Sequence, residues 1–261
     1  MADKSYKSYR QQLNILRSRG MVIGKGSQGS RVMRILEREN YYNVINGYKE
    51  LFLASKATAT ADEAYKTGTT FDEVYALYNF DRELRNIYLK YLLKLENTFK
   101  TVIAHEFSAK YGHDNYLKIE NFDNSTERNI SSSIKLIGDI QQEIARQMSK
   151  HHQVVTHYMT EHGYIPLWVL VNVLTFGKIE NFSVLGIVRA ADGSYTYGTN
   201  DAYAIAIMFA LLLSKSDLND FISSMRTAFG KLQKQLHTIS AADIMSIMGY
   251  DTNWMNLVNL I

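Results

Sequence analysis

"TFDEVYALYNFDRELRNIYLKYLLKLENTFKTVIAHEFSAKY", residues 70–111, runs for 42 residues without a proline or a glycine. Within it Leu84, Ile87, Tyr88, Tyr91, Leu95, Phe99, Val102 and Ile103 recur every three or four positions, which gives a helix one broad apolar face. Thr70 suits the N-cap, because its hydroxyl can accept from an amide left unpaired at a helix start. Asp72 and Glu73 favour the positive end of the helix dipole, and Gly112 suits the stop. The stretch therefore predicts one long helix or two abutting ones.

The same periodicity extends outward. Residues 125–150 predict a second helix capped by Ser125 or Thr126, with Ile130, Ile134, Ile137, Ile144 and Met148 as its core stripe. Further helices are predicted at about 165–176, 200–213 and 217–236, and shorter ones at 5–18, 28–39, 40–53, 153–161 and 240–248. Segments 54–69 and 112–124 read as loops. No stretch alternates with period two, no internal repeat is visible, and Pro166 is the single proline. The fold class is all-α.

Hydrophobic residues make up 46% of the 261, enough for a real core. With no cysteine, disulfides, thiolate metal sites and cysteine nucleophiles are excluded. The polar opening "MADKSYKSYRQQ" predicts no signal peptide. The longest apolar run, "AYAIAIMFALLL" (202–213), is too short to span a bilayer and reads as a buried helix, so the expected home is the cytoplasm, with no membrane partner. Charge is uneven. Residues 1–55 hold ten Lys and Arg against four Asp and Glu, so with +3 overall the remaining 206 residues carry −3. A basic N-terminal helical segment (1–55) before one helical core (70–261) points to a polyanionic partner.

Four motifs need weighing. "GKGSQG" (24–29) matches a dinucleotide fingerprint, but no strand precedes it and no parallel α/β pattern follows. It reads as a turn into the next helix, with Lys25 placed to touch a phosphate. His151, His152, His157 and His162 lie close together, but their spacing does not put them on one helical face, and no metal or cofactor is expected. "NYYNVINGYKELFL" (40–53) gathers Tyr41, Tyr42, Tyr48 and Phe52. Packing is their usual role, and stacking on unpaired bases is the alternative among basic residues. "IPLWVLVNVLTFG" (165–177) is apolar nearly all round, so Trp168 is expected in the core and Asn172 in a helix–helix hydrogen bond.

Several segments together resemble the Abi (abortive infection) proteins of the AbiD/AbiF-like phage-resistance family: "QQLNILRSRGMVI" (11–23), "ILERENYYNVINGYKELFL" (35–53), residues 68–112, "YIPLWVLVNVLTFGKIENF" (164–182) and "KLQKQLHTISAADIMSIMGY" (231–250). The resemblance implies a helical HEPN-like bundle, a small structured noncoding RNA as partner, and a homodimer, because HEPN ribonuclease sites are usually composite. In that family an Arg-Asn-x-x-x-His motif follows the "LTFG" helix. Here Arg189 stands at the motif arginine, but Ala190 replaces the polar residue and Ser194 the histidine. An arginine alone can hold a phosphate, yet without the histidine the proton-transfer half of metal-free RNA cleavage is missing.

One further Arg-polar-x-x-x-His match, Arg146-Gln147 with His151, lies off the family position. With 12 Arg and 7 His in the chain, about 0.3 such pairs arise by chance. Positions five apart on a regular helix are also about 140° from each other. The expected function is RNA binding in phage defence with an incomplete ribonuclease motif, through Arg17, Arg19, Lys25, Arg31, Arg34, Tyr41, Tyr42 and Arg189. An active ribonuclease and a protein-binding helical module are the alternatives.

Overall fold

The computed structural model describes residues 5–175, 201–250 and 253–256, the side chains of 201–204 excepted. The all-α expectation holds. Nine α-helices are described: α1 (Tyr9–Ser18), α2 (Ser27–Glu39), α3 (Phe71–Tyr111), α4 (Glu127–Ser149), α5 (Gln153–His162), α6 (Leu167–Leu170), α7 (Asp201–Leu212), α8 (Lys215–Gln233) and α9 (Ala241–Ile247). Among the described residues the only strands are β1 (Leu53–Ser55) and β2 (Ala64–Tyr65), an antiparallel pair inside the segment expected to be a loop. The predicted helix over 40–53 is instead a π turn at Tyr42–Asn46 and a 3-10 turn at Lys49–Phe52. Asn40, with φ of 67°, breaks the regular helix just before them.

Residues 70–111 do form one helix. Thr70 and Glu73 close a capping box: the Glu73 amide donates to Thr70 Oγ1 (3.2 Å) and the Thr70 amide to Glu73 Oε2 (3.0 Å). Gly112, at φ 93°, takes the left-handed turn that ends the helix.

Two compact units divide the chain, and their border falls within α3. Unit 1 comprises residues up to Tyr91 and those from Tyr197 on; unit 2 comprises Leu92–Thr196. The basic N-terminal helices thus belong to the same unit as the C-terminal ones. In unit 1, Tyr91, Phe209 and Phe221 are fully buried, and Phe221 meets the other two rings edge-on at 5.3 and 5.0 Å. Burying rings of this size adds to the apolar gain of the unit, and the edge-to-face geometry adds a little more.

The core of unit 2 is built from Leu136, Ile140, Val155, Ile165, Leu167 and Leu170, with Tyr116 donating its hydroxyl to the Ile165 carbonyl at 2.7 Å. Burial pushes that hydroxyl's pKa up to about 12, so it stays a donor. Three expectations need correction here. The most deeply buried residues of α4 are Ser133, Leu136, Ile140 and Glu143; of the predicted stripe, Ile144 and Met148 pack against the same core, while Ile134 is 57% exposed. Val102 of the predicted α3 face is exposed, and Ala104 takes the buried place. Trp168 is 52% exposed rather than core. Leu167, Leu170, Val171 and Leu174 already fill one helical face, which leaves Trp168 and Asn172 on the other. Asn172 donates within its own turn, to the Trp168 and Val169 carbonyls.

Candidate nucleic-acid interface

The basic residues of α1 and α2 fall into two groups. Arg17, near the end of α1, turns inward: its Nε donates to the Ile23 carbonyl (3.1 Å) and its Nη2 to the Gly24 carbonyl (2.6 Å). Those bonds shape the glycine-rich turn, which enters α2 through Gly26. Arg19 bridges Asp62 (2.9 Å) and the buried Glu63 (2.6 Å), which also takes Lys49 at 2.6 Å. Burial opposes the charge on Arg19, but its bond to Asp62 and the field of Glu63 outweigh that and raise its pKa. Tyr41 packs against the same cluster, and burial raises the pKa of its hydroxyl despite the nearby guanidinium.

The second group faces outward. Arg31, Arg34 and Arg38 are spaced three and four apart, so they line one side of α2. All three are exposed. Arg31 pairs with Asp72 in the first turn of α3, and Arg38 stands 3.8 Å from Glu39. A shallow groove of about 240 Å³ lies among them, lined also by Ile35 and Glu37. Lys25 is exposed in the turn before α2 and Tyr42, 68% exposed, in the turn after it, so the basic strip has an open cation at one end and an open ring at the other.

Arg146 and His151 do not form a site. Both Glu143 oxygens hold Arg146, Oε1 at 2.5 Å and Oε2 at 3.1 Å, and Gln147 donates to Oε1 at 2.7 Å. The Glu143 carboxylate is buried, and its bond raises the Arg146 pKa. His151 is exposed, beyond the end of α4. Arg189, with Ala190 and Ser194, lies outside the described residues. His152 caps α5, its Nδ1 accepting from the Val155 amide at 3.5 Å. Among the described residues no group of three or more His, Asp or Glu is placed to hold a metal ion. No described helix is long and apolar enough to cross a membrane.

A model of the Abi-like protein family matches residues 34–240. The chain belongs to that family. Membership points to abortive-infection defence against phage. No curated protein and no solved structure matches the chain. The match takes in Arg34, Arg38 and Tyr42 of this Abi-like chain, together with the whole of α3 to α6, and begins after Lys25 and Arg31.

Proposed function

We propose that this Abi-like chain is an RNA-binding antiphage protein that acts in the cytoplasm with a small structured noncoding RNA, as a homodimer with a HEPN-like fold. The observation that carries RNA binding is the strip along α2: Arg31, Arg34 and Arg38 on one side, with Lys25 before them and Tyr42 after. Cations at this spacing meet successive phosphates, and the ring adds a face for a base. Arg17, Arg19 and Tyr41 support this surface from within rather than forming it. The sequence favours binding over cleavage, because Ala190 and Ser194 replace the polar residue and the histidine that would follow Arg189.

The test is a salt titration of RNA affinity. Replacing Lys25, Arg34 and Arg38 by alanine is expected to weaken binding. The salt dependence should flatten by roughly 0.7 in log–log slope for each phosphate of a single strand that is no longer neutralised. Unchanged affinity and slope would refute the assignment of this face.

A further inference from the structure

Unit 2 carries a line of aromatic rings that the α2 strip does not use. Trp168 lies 5.8 Å from His113, His113 5.1 Å from Tyr164, Tyr164 6.2 Å from His162, and His162 5.5 Å from Tyr158, centroid to centroid. Interplanar angles in this series are 42–53°, so the rings tilt against one another rather than closing into a sealed stack. Trp168 leaves half its surface open and Tyr164 37%.

The base under the rings is fixed. The Leu167 amide donates to the His113 carbonyl at 2.9 Å and Tyr116 holds the Ile165 carbonyl at 2.7 Å, while Ile165 and Leu167 are themselves fully buried. Large rings held open on a rigid support lose little freedom when a flat ligand covers them.

Beside Trp168 is a groove of about 430 Å³ with Ala104 and Val171 in its floor and Asn97, Thr101, His105 and Asn172 around it. That volume is within the ~300–1,000 Å³ range of small-ligand sites. Its lysine, Lys100, is engaged by Glu96 at 2.7 Å, and Thr101 and Asn172 donate to carbonyls of their own turns, so the groove offers the Asn97 amide, the Asn172 amide oxygen and the His105 imidazole rather than open positive charge. Such a surface suits flat, neutral, hydrogen-bonding groups. It is poorly suited to phosphates, which the α2 strip would hold.

We propose that unit 2 holds a stacking site for the unpaired bases of single-stranded RNA, with Trp168 as its platform and the adjoining groove taking the polar edge of a base. The proposal rests on the reading that the chain binds RNA. A duplex hides the faces of its bases, so the site selects single strands.

The probe is an oligoadenylate of about 10 nucleotides, compared with an RNA duplex. The chain has two tryptophans, and Trp254 is buried in unit 1, so Trp168 supplies the accessible fluorescence. The oligoadenylate is expected to quench the wild type and the duplex to leave it unquenched. W168A, its fold verified by circular dichroism, should bind the oligoadenylate about ten- to a hundredfold more weakly, with the salt slope unchanged because stacking releases no counterion. W168F keeps an aromatic face and should stay close to wild-type affinity. Neutralising Lys25, Arg34 and Arg38 should lower the slope while quenching at saturation persists. Equal binding by W168A and wild type, or equal weakening in W168A and W168F, would overturn the stacking site and leave RNA binding standing. A wild-type protein that binds no RNA even at low salt would overturn both.

Discussion

Thr238 donates both its backbone N–H (2.6 Å) and its hydroxyl (2.9 Å) to one oxygen of Glu73, which the His237 amide also reaches at 2.6 Å. The other oxygen closes the capping box with Thr70. One fully buried carboxylate therefore fixes the start of α3 and ties it to the turn after α8.

Replacing Glu73 by alanine takes this acceptor from the amides at 237 and 238 and removes half of a cap. The expected loss is about 2–3 kcal/mol of stability, because hydrogen bonds to a charged group and the lost cap both count. Chemical denaturation measures it; a loss below about 1 kcal/mol would show that water or a neighbour replaces the carboxylate.

The same carboxylate makes stability depend on pH. Burial raises its pKa, but the donors from Thr238, Thr70 and His237 outweigh that, and the folded value lies below the ordinary one. A depressed acid stabilises the fold above its unfolded pKa of about 4.3, and the contribution is lost as pH falls through the folded value. E73Q should therefore be less stable than wild type at neutral pH, and the gap should narrow in acid. A gap that stays constant down to about pH 2 would be inconsistent with the ionised cap.

The two groups of arginines should separate in experiment. Arg17→Ala removes two bonds to the Ile23 and Gly24 carbonyls and should cost about 1–2 kcal/mol of stability. Arg34→Ala, on the exposed face of α2, should change stability by less than about 0.5 kcal/mol and act instead on RNA affinity. Thermal unfolding beside a binding isotherm distinguishes them, and the reverse pattern would contradict the assignment of Arg17 to the fold.

The orientation of α4 is testable with two isoleucines. Ile140 is fully buried and Ile134 is 57% exposed. Ile140→Ala should cost about 3 kcal/mol and Ile134→Ala less than about 0.5 kcal/mol. Similar losses at both would mean that Ile134 is covered in solution.

The long helix is legible in the sequence because its signals are local. Thr70, Glu73 and Gly112 sit at its ends, and no breaker lies between them. The bond from Thr238 to Glu73 spans 165 residues, and no local pattern encodes it. In α4 the isoleucine spacing is helical and Ile144 and Met148 do reach the core, but Leu136 and Ile140 fit the same period one residue round, and the packing of unit 2 buries these deepest and leaves Ile134 outside. Trp168 escapes the sequence because a run that is apolar on every side does not show which side is outward. Counting Leu167, Leu170, Val171 and Leu174 as one complete face leaves the ring outside. The charge excess in residues 1–55 marks the basic segment, but it does not separate Arg17 and Arg19, which bind carbonyls and carboxylates, from Arg34 and Arg38, which face outward.

The end of α4 offers the last test, and it bears on the Arg146/His151 pair. After Lys150 the His151 amide donates to the Met148 carbonyl and the His152 amide to the Gln147 carbonyl, both at 3.0 Å. This pair of bonds is a Schellman motif, in which the residue at His151 turns left-handed, and its φ is indeed 54°. Glycine takes that conformation without a steric cost, whereas a side chain is strained there. His151→Gly should therefore raise stability by about 0.5–1 kcal/mol, which for a protein of this size is a rise in Tm of roughly 1–4 °C. RNA binding should be unaffected. If the histidine is the proton-transfer partner of Arg146, the substitution abolishes RNA cleavage whatever it does to Tm. A stabilised variant with unchanged RNA behaviour would identify His151 as the end of a helix, placed beyond an arginine already committed to Glu143.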